Sequence, residues 1–186
     1  MNFCSECGLP VTVDVPPGED RPRAICRHCN VVHYENPKVL VACIPEWKDQ
    51  ILLCRRAIGP RQGLWGPPGG FLESGETVTQ AAIREVQEEA GAATEITALY
   101  AVLSLPAINQ LYLIFRGRLI DPAYRAGSES LEAKLFSKNT IPWDKLTYKT
   151  TADLLRRYFK ERELPHQCVT LPPLTDLILT SSFGIR

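Results

Sequence analysis

Residues 70–92 read GFLESGETVTQAAIREVQEEAGA, and this segment constrains the chain more than any other. A helix is expected from near Thr77 through Glu89 or Ala90, stopped by Gly91, since glycine suits the left-handed turn that ends helices. On a helix, residues three and four apart share a face, so Glu85, Glu88 and Glu89 are expected in one narrow arc. Carboxylates that close repel one another and weaken the helix unless cations neutralise them. An oxygen-only cluster of this charge suits hard divalent cations, Mg²⁺ or Mn²⁺, which keep water ligands and bind phosphates. A solvated acidic face is the ordinary reading of such a run. Two neighbours tell against it: Glu76 at the helix entrance, and Gly69-Gly70 just upstream, where backbone can approach a ligand closely. Arg84, one turn before Glu88, is placed to orient or partly neutralise a carboxylate.

The second constraint is Cys4-x₂-Cys7, eighteen residues, then Cys26-x₂-Cys29. This is the spacing of a four-thiolate zinc site, and closed sulfur coordination points to a structural metal, because a catalytic zinc keeps an open position. Two disulfides are the competing reading. The N-terminus MNFCSECGLP has neither the basic start nor the apolar run of a secretory signal, so reduced thiols and a cytoplasmic location are expected. His28 and His33 are spare candidates beside a complete tetrahedron. Cys43, Cys54 and Cys168 read as small buried apolar residues.

Residues 1–35 form the expected ribbon, 36–164 a catalytic-sized domain, and 165–186, with Pro165, Pro172 and Pro173, an extension lacking a clear period. KVLVACIPEW and QILLCRRA read as strands joined by a turn, followed by the loop GPRQGLWGPPGG. TEITALYAVLSLP and INQLYLIFRGRLI form a second strand pair, LEAKLFS a short strand, and 149–162 an amphipathic helix with Leu154, Leu155, Tyr158 and Phe159 on one face. The order implies an α/β (α+β) fold, a mixed sheet with helices on both faces. Twenty-one basic residues balance twenty-one acidic ones, so a general nucleic-acid surface is not expected, and no apolar run is long enough to span a membrane.

Gly70, Glu76, Arg84, Glu85, Val86, Glu88, Glu89, Gly91 and Ala92 match every specified position of the Nudix box, and on these residues the chain resembles the Nudix hydrolase superfamily. The ribbon together with HYENPKVLVACIPEW, GLWGPPGGFLESGET, SLPAINQLYLIFRGRL and IPWDKL is similar to a zinc-ribbon branch of FAD and ADP-ribose pyrophosphatases. That resemblance implies an α/β/α sandwich and metal-dependent cleavage of the pyrophosphate bond in a nucleoside diphosphate-X compound, FAD or ADP-ribose. It also implies that Glu85, Glu88, Glu89 and the Gly70 carbonyl hold the catalytic metal. The base is Glu85 or an acid of the later loop, Glu132 or Glu129. A homodimer is compatible with the resemblance, and the residues do not decide it. A related branch that acts on NADH and NAD-capped RNA carries an SQPWPFPxS run after its box; AVLSLPAINQLYLIF stands there instead, which argues against those substrates. Nucleoside triphosphates remain an alternative, as does a non-catalytic nucleotide sensor, although no box glutamate is lost.

For substrate contacts, Arg55 and Arg56 end a strand near the box, and guanidinium forks suit phosphate oxygens. Solvated strand-end charges are an equal reading. Gly69 and Gly70 offer backbone, and Arg61 and Arg118 are weaker candidates. Trp65, Tyr34 or Tyr112 could stack on a ring, although such aromatics are more often core.

Overall fold

The computed structural model describes residues 1–162 and the backbone of 169–171. The extension expected from 165, including Cys168, lies otherwise outside the described residues. Two compact units meet in sequence between Pro37 and Lys38. The first is a three-stranded antiparallel sheet, β1 (Thr12–Asp14), β2 (Arg23–Ile25) and β3 (Val32–His33), in that order. Its strands are too short to show an apolar period.

The second unit is built on β4 (Lys38–Trp47) and β5 (Gln50–Arg56). Both strands are apolar nearly throughout because both faces are covered. Val41 and Cys43 of β4, with Leu52 and Cys54 of β5, join one core; Ala42 and Ile44, with Ile51 and Leu53, join the other. Helix α1 (Val78–Ala90) covers the first face through Ala81, Ala82, Val86 and Ala90. Helix α2 (Lys149–Glu161) covers the second through Leu154, Leu155 and Tyr158. Burying a leucine of this kind contributes about 2 kcal/mol, so the two layers hold each other on the sheet.

Strands β8 (Thr94–Leu105), β9 (Gln110–Leu119) and β10 (Ser130–Phe136) complete the main sheet with β11 (Val169–Leu171), in the order β10-β5-β4-β9-β8-β11. β4 and β9 run parallel, while β4–β5 and β8–β9 are antiparallel, which makes the sheet mixed.

The site depends on a break in this regularity. β4 and β5 pair only beside their turn, at Glu46–Ile51 and Trp47–Gln50. Beyond that they splay, and the segment expected as plain loop inserts two short strands, β6 (Trp65–Gly66) on β5 and β7 (Gly69–Phe71) on β4. Glycine is required here, since a Cβ on Gly69 would overlap the backbone of Val41 and Ala42. Trp65 is core, packed edge-on against Phe136 at 4.9 Å.

Candidate active site

Thr77 caps α1 with its side chain on Gln80 N, Gln80 returns a bond to Thr77 N, and Gly91 closes the far end at φ 55°. The capped helix fixes the register of its acids. Glu85 falls on the inward stripe with Ala81, Ala82 and Val86 and is 8% exposed. Glu89, one turn on, is partly buried, whereas Glu88 is exposed.

Arg84 organises the acids. It donates to Glu76 (3.0 and 2.8 Å), Glu85 (2.7 Å), Glu88 (3.0 Å) and the Phe71 carbonyl (3.0 Å). Glu76 also accepts from Glu73 N, so it ties the entry loop to the helix, and the Arg84 guanidinium holds its carboxyl below the usual range. Arg84 Nη1 bridges Glu85 and Glu88, at 2.7 and 3.0 Å, and so holds two of the three box acids on one guanidinium nitrogen. Among the described residues, the four cysteines form the only group of three or more ligand atoms lying within 4.8 Å of one another. The arc expected from helical spacing carries an arginine between two of its acids, and Glu85 feels the charge of Glu88 while Glu89 feels that of Glu85.

The residues still fit a divalent cation. A Cβ on Gly70 would come 2.6 Å from Glu85 Oε1, so only glycine leaves backbone and carboxylate free to share an ion. Burial, then the charge of Glu85, push Glu89 up to about 8, against the opposing pull of Arg56. Burial also raises Glu85, opposed by Arg84. Desolvated acids crowded by like charge are what a hard cation would neutralise. A raised pKa means that Glu89 carries a proton at pH 7, which a metal ion must displace. The expected result is a Mg²⁺ dissociation constant that falls about tenfold per pH unit up to roughly pH 8 and levels above it. Calorimetry in buffers of different ionisation heat checks this, and a pH-independent constant with no proton release would contradict it.

Because β4 and β5 splay, Glu89 from one face of the sheet lines a cleft of about 170 Å³ whose other walls come from the opposite face. Arg56, Cys54 and Gly69 lie in this charged part; Leu103, Leu105, Ile108, Tyr112 and Ile114 form an apolar wall, and Thr147, Tyr148, Thr150 and Thr151 at the start of α2 form another. The second wall was missed in the sequence, where 149–162 read only as an amphipathic helix. The polar run TYKTT ahead of its apolar stripe is the signal that was available. Burial pushes Tyr112 up to about 12, so its hydroxyl stays a proton donor.

The remaining candidates separate. Arg56 enters the cleft, with Nε on the Pro60 carbonyl, but Arg55 is turned to the Gly63 carbonyl and towards Glu132 at 3.9 Å. Glu132 is paired in register with Arg55, whereas Glu129 contributes charge at both Glu85 and Glu89. The loop carrying Glu129 is docked on the end of α1, where Arg125 N and Gly127 N take the carbonyls of Ala90 and Glu89. Arg118 pairs with exposed Glu95, and Tyr34 with Glu19, so neither lines the cleft.

In the ribbon, Cys4–Cys29 and Cys7–Cys26 sulfurs lie 3.6 and 3.5 Å apart. That matches the roughly 3.8 Å edge of a tetrahedron with 2.3 Å zinc–sulfur bonds, and the cysteines are free rather than bridged. Each turn closes through a left-handed residue one past its second cysteine, Gly8 (φ 74°) and Asn30 (φ 58°). Backbone N–H groups of Cys29 and His28 draw Cys26 down to about 6 against burial, and His33 Nε2 sits 3.3 Å from Cys4 Sγ, beside the quartet rather than in it.

The NUDIX domain family matches residues 36–158, and the Nudix N-terminal family matches 2–35. This chain is a Nudix hydrolase. The chain is similar to a crystal structure of a NUDIX hydrolase from Nitrosomonas europaea: TM-score 0.86, 46% identity, 92% of this chain and 100% of that one. An ADP-ribose pyrophosphatase of Methanocaldococcus jannaschii is 35% identical over 59% of this chain and 67% of its own length. An NAD-capped RNA hydrolase NudC of Salmonella heidelberg is 31% identical over 75% of this chain, which spans 53% of that protein. A human 8-oxo-dGDP phosphatase is matched over only 39% of its length. As a Nudix hydrolase, the chain belongs to the metal-dependent hydrolases of pyrophosphate bonds. No helix among the described residues is long and apolar enough to cross a membrane.

Proposed function

We propose that this Nudix hydrolase cleaves the diphosphate of a nucleoside diphosphate-X compound, FAD or ADP-ribose, at a Mg²⁺ or Mn²⁺ centre held by Glu85, Glu88, Glu89 and the Gly70 carbonyl. The observation that carries the reading is the cleft itself. Among the described residues that line it, Glu89 and Arg56 are the only charged ones, and the others are apolar or carry a neutral hydroxyl, thiol or amide. A diphosphate fits the charged part, and a neutral group fits the remainder; a triphosphate tail would find no further cation among the described lining residues. The relative named for ADP-ribose supports the same class. The NAD-capped RNA hydrolases among the relatives keep NADH as the second substrate to test.

In this mechanism, the bound cations supply charge neutralisation and an acidified water. Arg56 draws the diphosphate into the cleft, Tyr112 donates a hydrogen bond there, and Arg84 sets the carboxylates without touching substrate. Glu129 is the loop acid that acts as base or added ligand. Glu132, the better sequence match, is held in register opposite Arg55. The ribbon cysteines Cys4, Cys7, Cys26 and Cys29 hold a structural zinc.

Purified protein with Mg²⁺ is expected to turn over FAD or ADP-ribose at least tenfold faster, by kcat/KM, than NADH or nucleoside triphosphates. In the same assay Glu129→Gln is expected to lower kcat by about a hundredfold, and Glu132→Gln by less than threefold. Tight nucleotide binding without turnover of any of them would overturn the enzymatic reading.

A further inference from the structure

We propose that Tyr148, backed by Arg61, forms with Ile108 a stacking subsite for a planar heteroaromatic ring of the substrate. This specifies the cleft of the proposed diphosphate hydrolysis and rests on that reading.

Tyr148 and Ile108 are large apolar side chains, 38% and 37% exposed, and both line the same cleft. Singly exposed apolar residues mean little, but two on the two walls of one cleft leave surface that a flat ring would cover from both sides. Leu105 beside them is buried and extends the apolar wall. The Arg61 guanidinium sits 5.3 Å from the Tyr148 ring centroid, yet Arg61 is not among the residues lining the cleft. The cation therefore holds the ring from outside and leaves its cleft side to a ligand. The support is rigid: Thr147 N bonds the Trp65 carbonyl at 2.8 Å, and Tyr148 is the residue on which α2 begins. A ring held on this platform is preorganised for stacking, without the ordering cost of a free side chain.

The chemistry around the platform selects the ligand class. Thr150, Thr151 and Gln110 also line the cleft and offer neutral donors and acceptors to the edge of a heterocycle. Among the described residues, no charged side chain other than Arg56 and Glu89 lines the cleft, so a second phosphate would gain no cation from them. A bare sugar would gain the hydrogen bonds but not the stacking.

The test reads binding rather than turnover, so it is independent of the hydrolysis assay. AMP, FMN and ribose 5-phosphate are titrated calorimetrically into the full chain in Mg²⁺ buffer, using the wild type, Tyr148→Leu and Tyr148→Phe. The wild type should bind AMP or FMN at least tenfold more tightly than ribose 5-phosphate, as one stacked ring implies. Tyr148→Leu should abolish that ratio with its melting temperature unchanged, and Tyr148→Phe should keep it. No preference for a ring in the wild type, or a preference that survives in Tyr148→Leu, overturns the proposal. If ring binding holds but no diphosphate is hydrolysed, the fault lies with the functional reading and not with the subsite.

Discussion

Glu88→Gln is expected to cut kcat by at least a hundredfold while shifting the melting temperature by no more than about a degree. The two halves of this result have separate causes. The Glu88 side chain is 58% exposed and its one ion pair, with Arg84, is at the surface end of a network that Glu76 and Glu85 keep intact. Exposed pairs of this kind contribute a few tenths of a kcal/mol, so folding is nearly indifferent. Catalysis is not, because a metal acting on a phosphoryl group supplies several kcal/mol of charge stabilisation, and each 1.4 kcal/mol is tenfold in rate. A neutral amide keeps the shape and loses the ligand charge. Steady-state kinetics beside a thermal melt reads both halves, and retained turnover would remove Glu88 from the metal site.

The largest effect on stability is expected elsewhere, at Glu46→Ala. Arg116 on β9 is 6% exposed and takes two bonds from its guanidinium to Glu46, at 2.6 and 3.0 Å, with the Tyr158 ring stacked 5.3 Å away. Removing Glu46 takes two charge-assisted bonds from this buried guanidinium, a loss of about 3 kcal/mol. For a domain of this size that is a fall of roughly 10 °C in melting temperature. The double change Glu46→Leu with Arg116→Met should recover most of the loss, since an apolar pair of similar volume avoids the desolvation. A fall of less than about 2 °C for Glu46→Ala would show that the pair is solvated. Neither residue lines the cleft, so the folded fraction should turn over substrate at the wild-type rate.

How far these residues could be read without coordinates follows from the range over which each signal acts. The limits of α1 were legible because Thr77 and Gly91 cap it locally, and the central strands because β4 and β5 are apolar on both faces. The cysteine spacing likewise fixed a four-thiolate group. Longer-range signals were lost. Nothing local says that β4 and β5 splay after two pairs and admit β6 and β7, although that opening is what lets Glu89 reach the cleft. The choice between Glu129 and Glu132 depends on the shift in register between Ser130 and Glu132 in the β10–β5 pairing. Arg55 and Arg56 looked equivalent, and strand alternation separates them: one turns to Glu132, the other to Glu89. The threonine wall was hidden in the first turn of a helix whose apolar face dominated the reading.

In the proposed function, α1 and the Gly70 backbone together hold divalent ions where a diphosphate can meet them. Anomalous diffraction from crystals soaked in Mn²⁺ tests it most directly. A manganese peak coordinated by Glu85, Glu88, Glu89 and the Gly70 carbonyl, and open towards Arg56, is the expected result. Manganese bound elsewhere, with Arg84 still clasping Glu85 and Glu88, would contradict it.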